Sequence, residues 1–202
     1  MDSNKYLDDI SKIKDLMNRS SRFISLSGLS GILAGVYALT GALITYIFLL
    51  PEPGTYLTLH SWNFKLIIAI LIAVAALSII TGYLLTSKKA KKNNEKIWDE
   101  TTKRLLISFL VPLVTGGIYI LIKLNTQHYG LTGSLMLIFY GLALVNASKY
   151  TLGTIKYLGY AEIILGLICA AFPGYGFWFW IIGFGFFHIL YGSIMYSREQ
   201  KG

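Results

Sequence analysis

The stretch Thr154–Gly176, TIKYLGYAEIILGLICAAFPGYG, is apolar enough to cross a membrane and carries a carboxylate, Glu162, in its middle. A lysine, Lys156, marks one end and a Pro173–Gly174 turn the other. Runs of this kind recur along the chain. Of 202 residues, 54% are hydrophobic and 14% are charged, whereas soluble domains carry about 25% charge. Mean hydropathy is +0.58. The apolar residues are bunched rather than periodic, which marks an integral membrane protein.

Six apolar segments follow from this reading: Phe23–Leu50, Phe64–Thr86, Leu105–Ile122, Leu131–Ala147, Thr154–Phe172 and Phe177–Tyr196. A helix needs about 20 residues to cross a hydrocarbon core of about 30 Å. The fourth segment is short and the first is long. The expected fold is an all-α membrane protein with six transmembrane helices. Residues 1–22 form a cytoplasmic amphipathic segment, 23–197 the six-helix domain and 198–202 a cytoplasmic tail. The polar start and the long apolar run after Phe23 read as a retained signal anchor. Spans and short loops use nearly the whole length, which leaves no room for a separate soluble catalytic domain.

The net charge of +8 reports topology here, not nucleic acid. Lys5, Lys12, Lys14, Arg19 and Arg22 precede the first span. Lys88, Lys89, Lys91, Lys92, Lys96, Lys103 and Arg104 lie between the second and third. Lys149 and Lys156 lie between the fourth and fifth, and Arg198 and Lys201 follow the sixth. Only Lys65 and Lys123 fall on the opposite side. The positive-inside rule therefore places both termini in the cytoplasm, with the bacterial inner membrane as the expected location. Membrane lipid is the expected surrounding partner. The basic loop and the N-terminal face of Tyr6, Ile10, Ile13 and Met17 offer a surface to a cytoplasmic protein, and the small-residue faces to a second copy. Pro112 is expected to kink the third span, with Thr115 near the freed backbone groups.

The segments repeat in pairs. Gly28 and Gly35 are spaced like Gly159 and Gly166, LSIITGYLLTSKK resembles FHILYGSIMYSRE, and FYGLALVNA fits more loosely through Gly141 and Asn146. Three tandem two-helix hairpins with rough threefold symmetry are expected. Gly159, Gly166, Pro173, Gly174, Gly183, Tyr191 and Gly192 carry a resemblance to the HdeD-type family of six-span bacterial membrane proteins, mainly over the last third of the chain. A six-span group without a described activity fits equally. The HdeD resemblance implies a role in acid stress and brings no catalytic residue with it. The long first outer loop and the polar N-terminal extension depart from that family.

The candidate site is an intramembrane polar cluster of Glu162, His188 and Tyr191. Glu162 shares a helical face with Gly159, Gly166 and Cys169, while Ile163 and Leu167 are expected to face lipid. His188 shares a face with Gly185, Tyr191 and Gly192. Glu162 and His188 each lie about eight residues from the inner end of a span, or roughly 12 Å deep, so antiparallel neighbours would bring them level. An unpaired charge at that depth costs several kcal/mol, so a partner is expected, and removing either residue should strand the other. The pair could move a proton or hold a cation; it could equally be a hydrogen bond that ties two helices. Gly31 and Gly35 form a GxxxG packing motif.

His60, His128 and Glu52 lack metal-ligand spacing, so no metal or cofactor is expected. No HExxH, phosphate loop or nucleophile elbow occurs. With Cys169 the only cysteine, no intrachain disulfide can form. The expected function is a non-enzymatic multi-pass membrane protein, accessory or stress-related. A proton-linked transporter or channel component built on Glu162 and His188 is the alternative.

Overall fold

A computed structural model describes residues 10, 27–50, 61–92, 97–151 and 154–200. The expectations for the N-terminal face, the first outer loop, His60 and Glu52 lie outside these residues. The described chain is helical: α1 Gly28–Phe48, α2 Trp62–Lys92, α3 Glu100–Asn125, α4 Thr132–Ala147, α5 Ile155–Ala171 and α6 Gly176–Glu199. Four of these, α1, α2, α3 and α6, are long and apolar enough to cross a membrane. Helices α4 and α5 have 16 and 17 residues, or about 24–26 Å. At 31 residues, α2 is about 46 Å long. It runs past the expected boundary at Thr86 and carries Lys88–Lys92 beyond the apolar zone.

Local chemistry sets the boundaries. Asp99 caps α3, its Oδ1 accepting from the Thr102 backbone N–H at 2.7 Å and from the Thr102 hydroxyl at 2.8 Å. The Pro173–Gly174 turn separates α5 from α6, with Gly174 at φ +95, a conformation that glycine adopts without strain. Pro112 lies inside α3 and cannot donate to the carbonyl of Ser108. That carbonyl instead accepts from Asn146 Nδ2 of α4 at 2.8 Å. Thr115, the expected helper, bonds the Val111 carbonyl. The repair therefore comes from the neighbouring helix, and it fixes α4 against α3.

Except for α2 and α3, consecutive helices pack on one another, and α6 returns to α1. Two of these contacts bring backbones together at glycines. In α4·α5, a Cβ on Gly141 would sit 2.6 Å from the Gly159 carbonyl, and one on Gly159 would sit 2.8 Å from the Gly141 carbonyl. The Ser134 hydroxyl donates to the Gly166 carbonyl at 2.8 Å in the same interface. In α1·α6, a Cβ on Gly192 would sit 2.5 Å from the Ile32 nitrogen, and one on Gly35 would sit 2.6 Å from the Gly185 carbonyl. Gly31 approaches the Gly192 Cα. Small residues permit such close crossings, which bring dispersion contacts that larger side chains would block.

The ring is incomplete between α2 and α3, which make no extended contact. Helix α2 packs on α1 and keeps only Ala90 buried among its residues. At one end of the bundle, Phe64 reaches Tyr129 and Tyr46 reaches Trp178. At the other, Glu199 of α6 accepts from the Gly28 backbone N–H at 2.7 Å and pairs with Lys89 of α2 at 3.0 Å. Large apolar side chains cover much of the outside, including Ile72, Ile79, Leu121, Ile164 and Leu167. One expectation changes. Ile163 is half-buried against Gly141 of α4 and does not face outward, whereas Ile164 and Leu167, each 58% exposed, do.

Candidate functional site

Glu162 stands on the inner face of α5 with no exposed surface. Opposite it, α6 changes pitch. Residues Ile181–Phe187 form a π-helical segment, wider than an α-helix by one residue per hydrogen-bonded ring, and such segments are often found at functional sites. Gly183, in this segment, lies directly over the carboxyl, since a Cβ there would sit 2.5 Å from Glu162 Oε2. Any larger residue at 183 would have to displace Glu162.

The π segment ends at His188, which is 6% exposed. His188 Nδ1 lies 3.0 Å from the Gly183 carbonyl and 3.7 Å from Glu162 Oε1. A carbonyl only accepts, so the Gly183 bond places a proton on Nδ1. His188 Nε2 lies 2.8 Å from the Tyr140 hydroxyl of α4. With the imidazole neutral, Nε2 accepts from Tyr140; with the imidazole charged, Nε2 donates. The rings of Tyr140 and His188 also stack, with centroids 5.4 Å apart, and Phe184 lies 5.0 Å from Tyr140 and 5.9 Å from His188.

The result is a cluster of carboxyl, imidazole and phenol drawn from α5, α6 and α4. Neither Glu162 oxygen has a hydrogen-bond partner among the described residues. An ionised carboxylate left so would be costly in this setting. The low-energy form is a protonated carboxyl beside a neutral imidazole whose Nδ1–H is held by the Gly183 carbonyl. Closing the 3.7 Å separation by under an ångström would let the His188 Nδ1–H share its donation between the Gly183 carbonyl and Glu162 Oε1.

Glu162 and His188 thus meet as neighbours on antiparallel helices. Tyr191 does not join them directly. Its hydroxyl is buried beside Thr154 and makes no hydrogen bond of ordinary geometry. Tyr140 holds the place next to His188. Its residue type does not mark it in the sequence, yet it lies seven residues from the end of α4, at about the depth of Glu162 and His188. Gly159 and Gly166 pack on α4; Gly31, Gly35, Gly185 and Gly192 pack in the α1·α6 crossing. Cys169 is buried with Leu137 and Leu165, against Phe179, Phe184 and Phe187. His128 lies in the α3–α4 turn with Nδ1 2.7 Å from the Thr126 carbonyl. Among the described residues no cluster of three metal-ligating side chains forms.

Fold and site together define an all-helical membrane bundle with a buried polar cluster inside it. No family model, curated protein or solved structure matches the chain, so the functional reading rests on geometry.

Proposed function

We propose that the protein is a non-enzymatic, six-span membrane protein of the sensor or accessory kind, with a role in stress. His188 and Tyr140 would tie α6 to α4, and the buried Glu162 carboxyl beside them would set the packing of α5 according to whether it is protonated. The observation that carries this reading is the sealing of Glu162. It has no exposed surface and no hydrogen bond, and its route outward runs through His188 and Tyr140. A conducting carboxylate needs water or a chain of polar groups reaching it from each side. Among the described residues Glu162 has such a group on one side alone, at His188.

In this reading α4 and α5 also span the membrane. They pack tightly on each other, and their length, a few ångströms below the average hydrocarbon thickness, fits an upright pair with local thinning of the bilayer. The ends of α1, α2 and α6 that meet at Glu199 would be cytoplasmic, because Lys88–Lys92 and Arg198 lie there. The contacts α1·α6 and α4·α5 are equivalent joints between successive hairpins of a threefold repeat, and α2·α3 is the third joint, left open. Kinship with the HdeD-type family is compatible with this arrangement and rests on the glycine, proline and tyrosine pattern alone.

The test is proton flux in proteoliposomes under an imposed pH gradient. The sensor reading expects wild type and Glu162→Gln to leak no faster than empty vesicles. Flux that vanishes in Glu162→Gln would replace it with the proton-linked transport reading, which the contact between His188 and Tyr140, a cavity-lining residue, favours.

A further inference from the structure

The break in the helix ring opens onto a cavity of about 560 Å³. All six helices contribute to its wall. Leu71, Val74 and Gly82 of α2 face Leu113 and Gly117 of α3 across the opening. The wall is almost entirely carbon, and no described Lys, Arg, Asp or Glu lines it. Tyr140 of α4 and Trp180, His188 and Tyr191 of α6 bring hydrogen-bonding groups to the wall, whereas the Ser30 and Ser78 hydroxyls, which also line it with Ser27, are taken up by the Ser27 and Val74 carbonyls.

We propose that this cavity binds a neutral, single-chain amphiphile that enters from the bilayer between α2 and α3, with its polar group at the Tyr140–His188 pair. Size selects the occupant. The volume lies within the usual range for small-molecule pockets. A membrane-spanning helix about 10 Å wide and 30 Å long takes up more than about 2,000 Å³, so neither a partner helix nor a second copy fits inside. Apolar cavities of this kind stay dry, and hydrocarbon is the solvent at the opening. Charge narrows the chemistry. With no lysine or arginine on the wall and His188 a neutral ring that accepts from Tyr140, an anionic head would be unpaired, and the Glu162 carboxyl behind His188 adds no attraction. With no carboxylate on the wall, a cationic head would also lack its partner. A hydroxyl can donate to the Tyr140 oxygen while Tyr140 still donates to His188, and a carbonyl can accept from Tyr140 in place of His188, in neither case leaving a buried charge. Occupancy would then bear on the same hydrogen bond that holds His188, although the binding site stands independently of any sensing role.

The experiment uses Trp180 as the reporter. The other tryptophans, Trp62, Trp98 and Trp178, are replaced by phenylalanine in the full chain, which is placed in nanodiscs of unbrominated zwitterionic lipid. A dibrominated long-chain alcohol, the matching fatty-acid anion and the matching alkyl trimethylammonium are titrated as quenchers. The proposal expects saturable quenching by the alcohol, with half-saturation at least tenfold lower than for either charged probe. Gly82→Phe should abolish the saturable component, because a side chain there enters open space and plugs the cavity. Gly117→Leu does the same from α3 should Gly82→Phe fail to fold. Tyr140→Phe should raise the alcohol's half-saturation toward that of a brominated alkane. Equal, unsaturable quenching by all three probes, or saturable quenching that survives both plugs, would overturn the site. Absence of alcohol quenching together with disulfide formation between two Gly82→Cys chains would also overturn it, by showing a second copy across the opening. None of these outcomes depends on proton flux, so the ligand site and the proposed function fail separately.

Discussion

Replacing Glu162 by methionine should make the protein more stable. The carboxyl is completely buried and both of its oxygens lack hydrogen bonds. A buried, unsatisfied polar group costs about 1–3 kcal/mol. Methionine is unbranched and of similar length, so it keeps the volume and removes that cost, and its flexibility lets the end settle beneath Gly183. Imperfect fit returns up to about 1 kcal/mol, leaving an expected gain of about 1–2 kcal/mol. Glu162→Gln keeps a polar end with nothing to bond and should gain nothing. His188→Leu should lose about 1–3 kcal/mol, because it strands the Gly183 carbonyl and the Tyr140 hydroxyl that the imidazole now serves. The structure thus separates two residues that the sequence treated as equal partners. The assay is reversible unfolding in mixed micelles with increasing SDS, followed by tryptophan fluorescence. A loss of 2 kcal/mol or more in Glu162→Met would refute the reasoning, since it would mean that the carboxyl makes a strong bond in the folded protein. A gain would mean that Glu162 is kept at a cost to stability, as residues retained for function often are.

Three other outcomes are expected. Asn146→Leu should cost about 1–3 kcal/mol by stranding the Ser108 carbonyl, and much less in a Pro112→Ala background, where residue 112 regains its own N–H; the same micelle assay in a double-mutant cycle measures this coupling. Gly166→Leu should destabilise by several kcal/mol, because a Cβ there already reaches 2.7 Å from Ile138, while Leu167→Ala on the exposed face should change stability by under about 1 kcal/mol; thermal unfolding in detergent compares them. In a Cys169→Ala background, Asn93→Cys should resist membrane-impermeant thiol reagents added outside intact cells, and labelling there would reverse the assigned topology.

Much of the bundle was legible because lipid imposes simple rules. Apolar runs gave the helices, and counting residues from their ends brought Glu162 level with His188 before any contact was known. What was missed depends on neighbours or on a change of pitch. The π segment follows no 3.6-residue period, so its placement of Gly183 over Glu162 has no signature beyond two glycines. Tyr140 is one of 14 tyrosines, and only its contact with His188 Nε2 sets it apart. Pro112 announced a freed carbonyl, but its donor, Asn146, lies on another helix. Ile163 was assigned to lipid on helical spacing, whereas the close approach at Gly141 draws it into the α4·α5 joint. The strict length requirement for a span is met by four helices; α4 and α5 fall short because their ends give way to tight turns at Ser148–Tyr150 and Pro173–Gly174.

The central claim is that Glu162 communicates with the cavity through His188 and Tyr140. Solid-state ¹⁵N NMR of histidine-labelled protein in lipid, with His60 and His128 replaced, reads both ring nitrogens of His188 directly. The account predicts a protonated Nδ1 and an accepting Nε2, with Tyr140→Phe moving the Nε2 resonance and Glu162→Gln moving Nδ1. A His188 spectrum that neither substitution changes would contradict it.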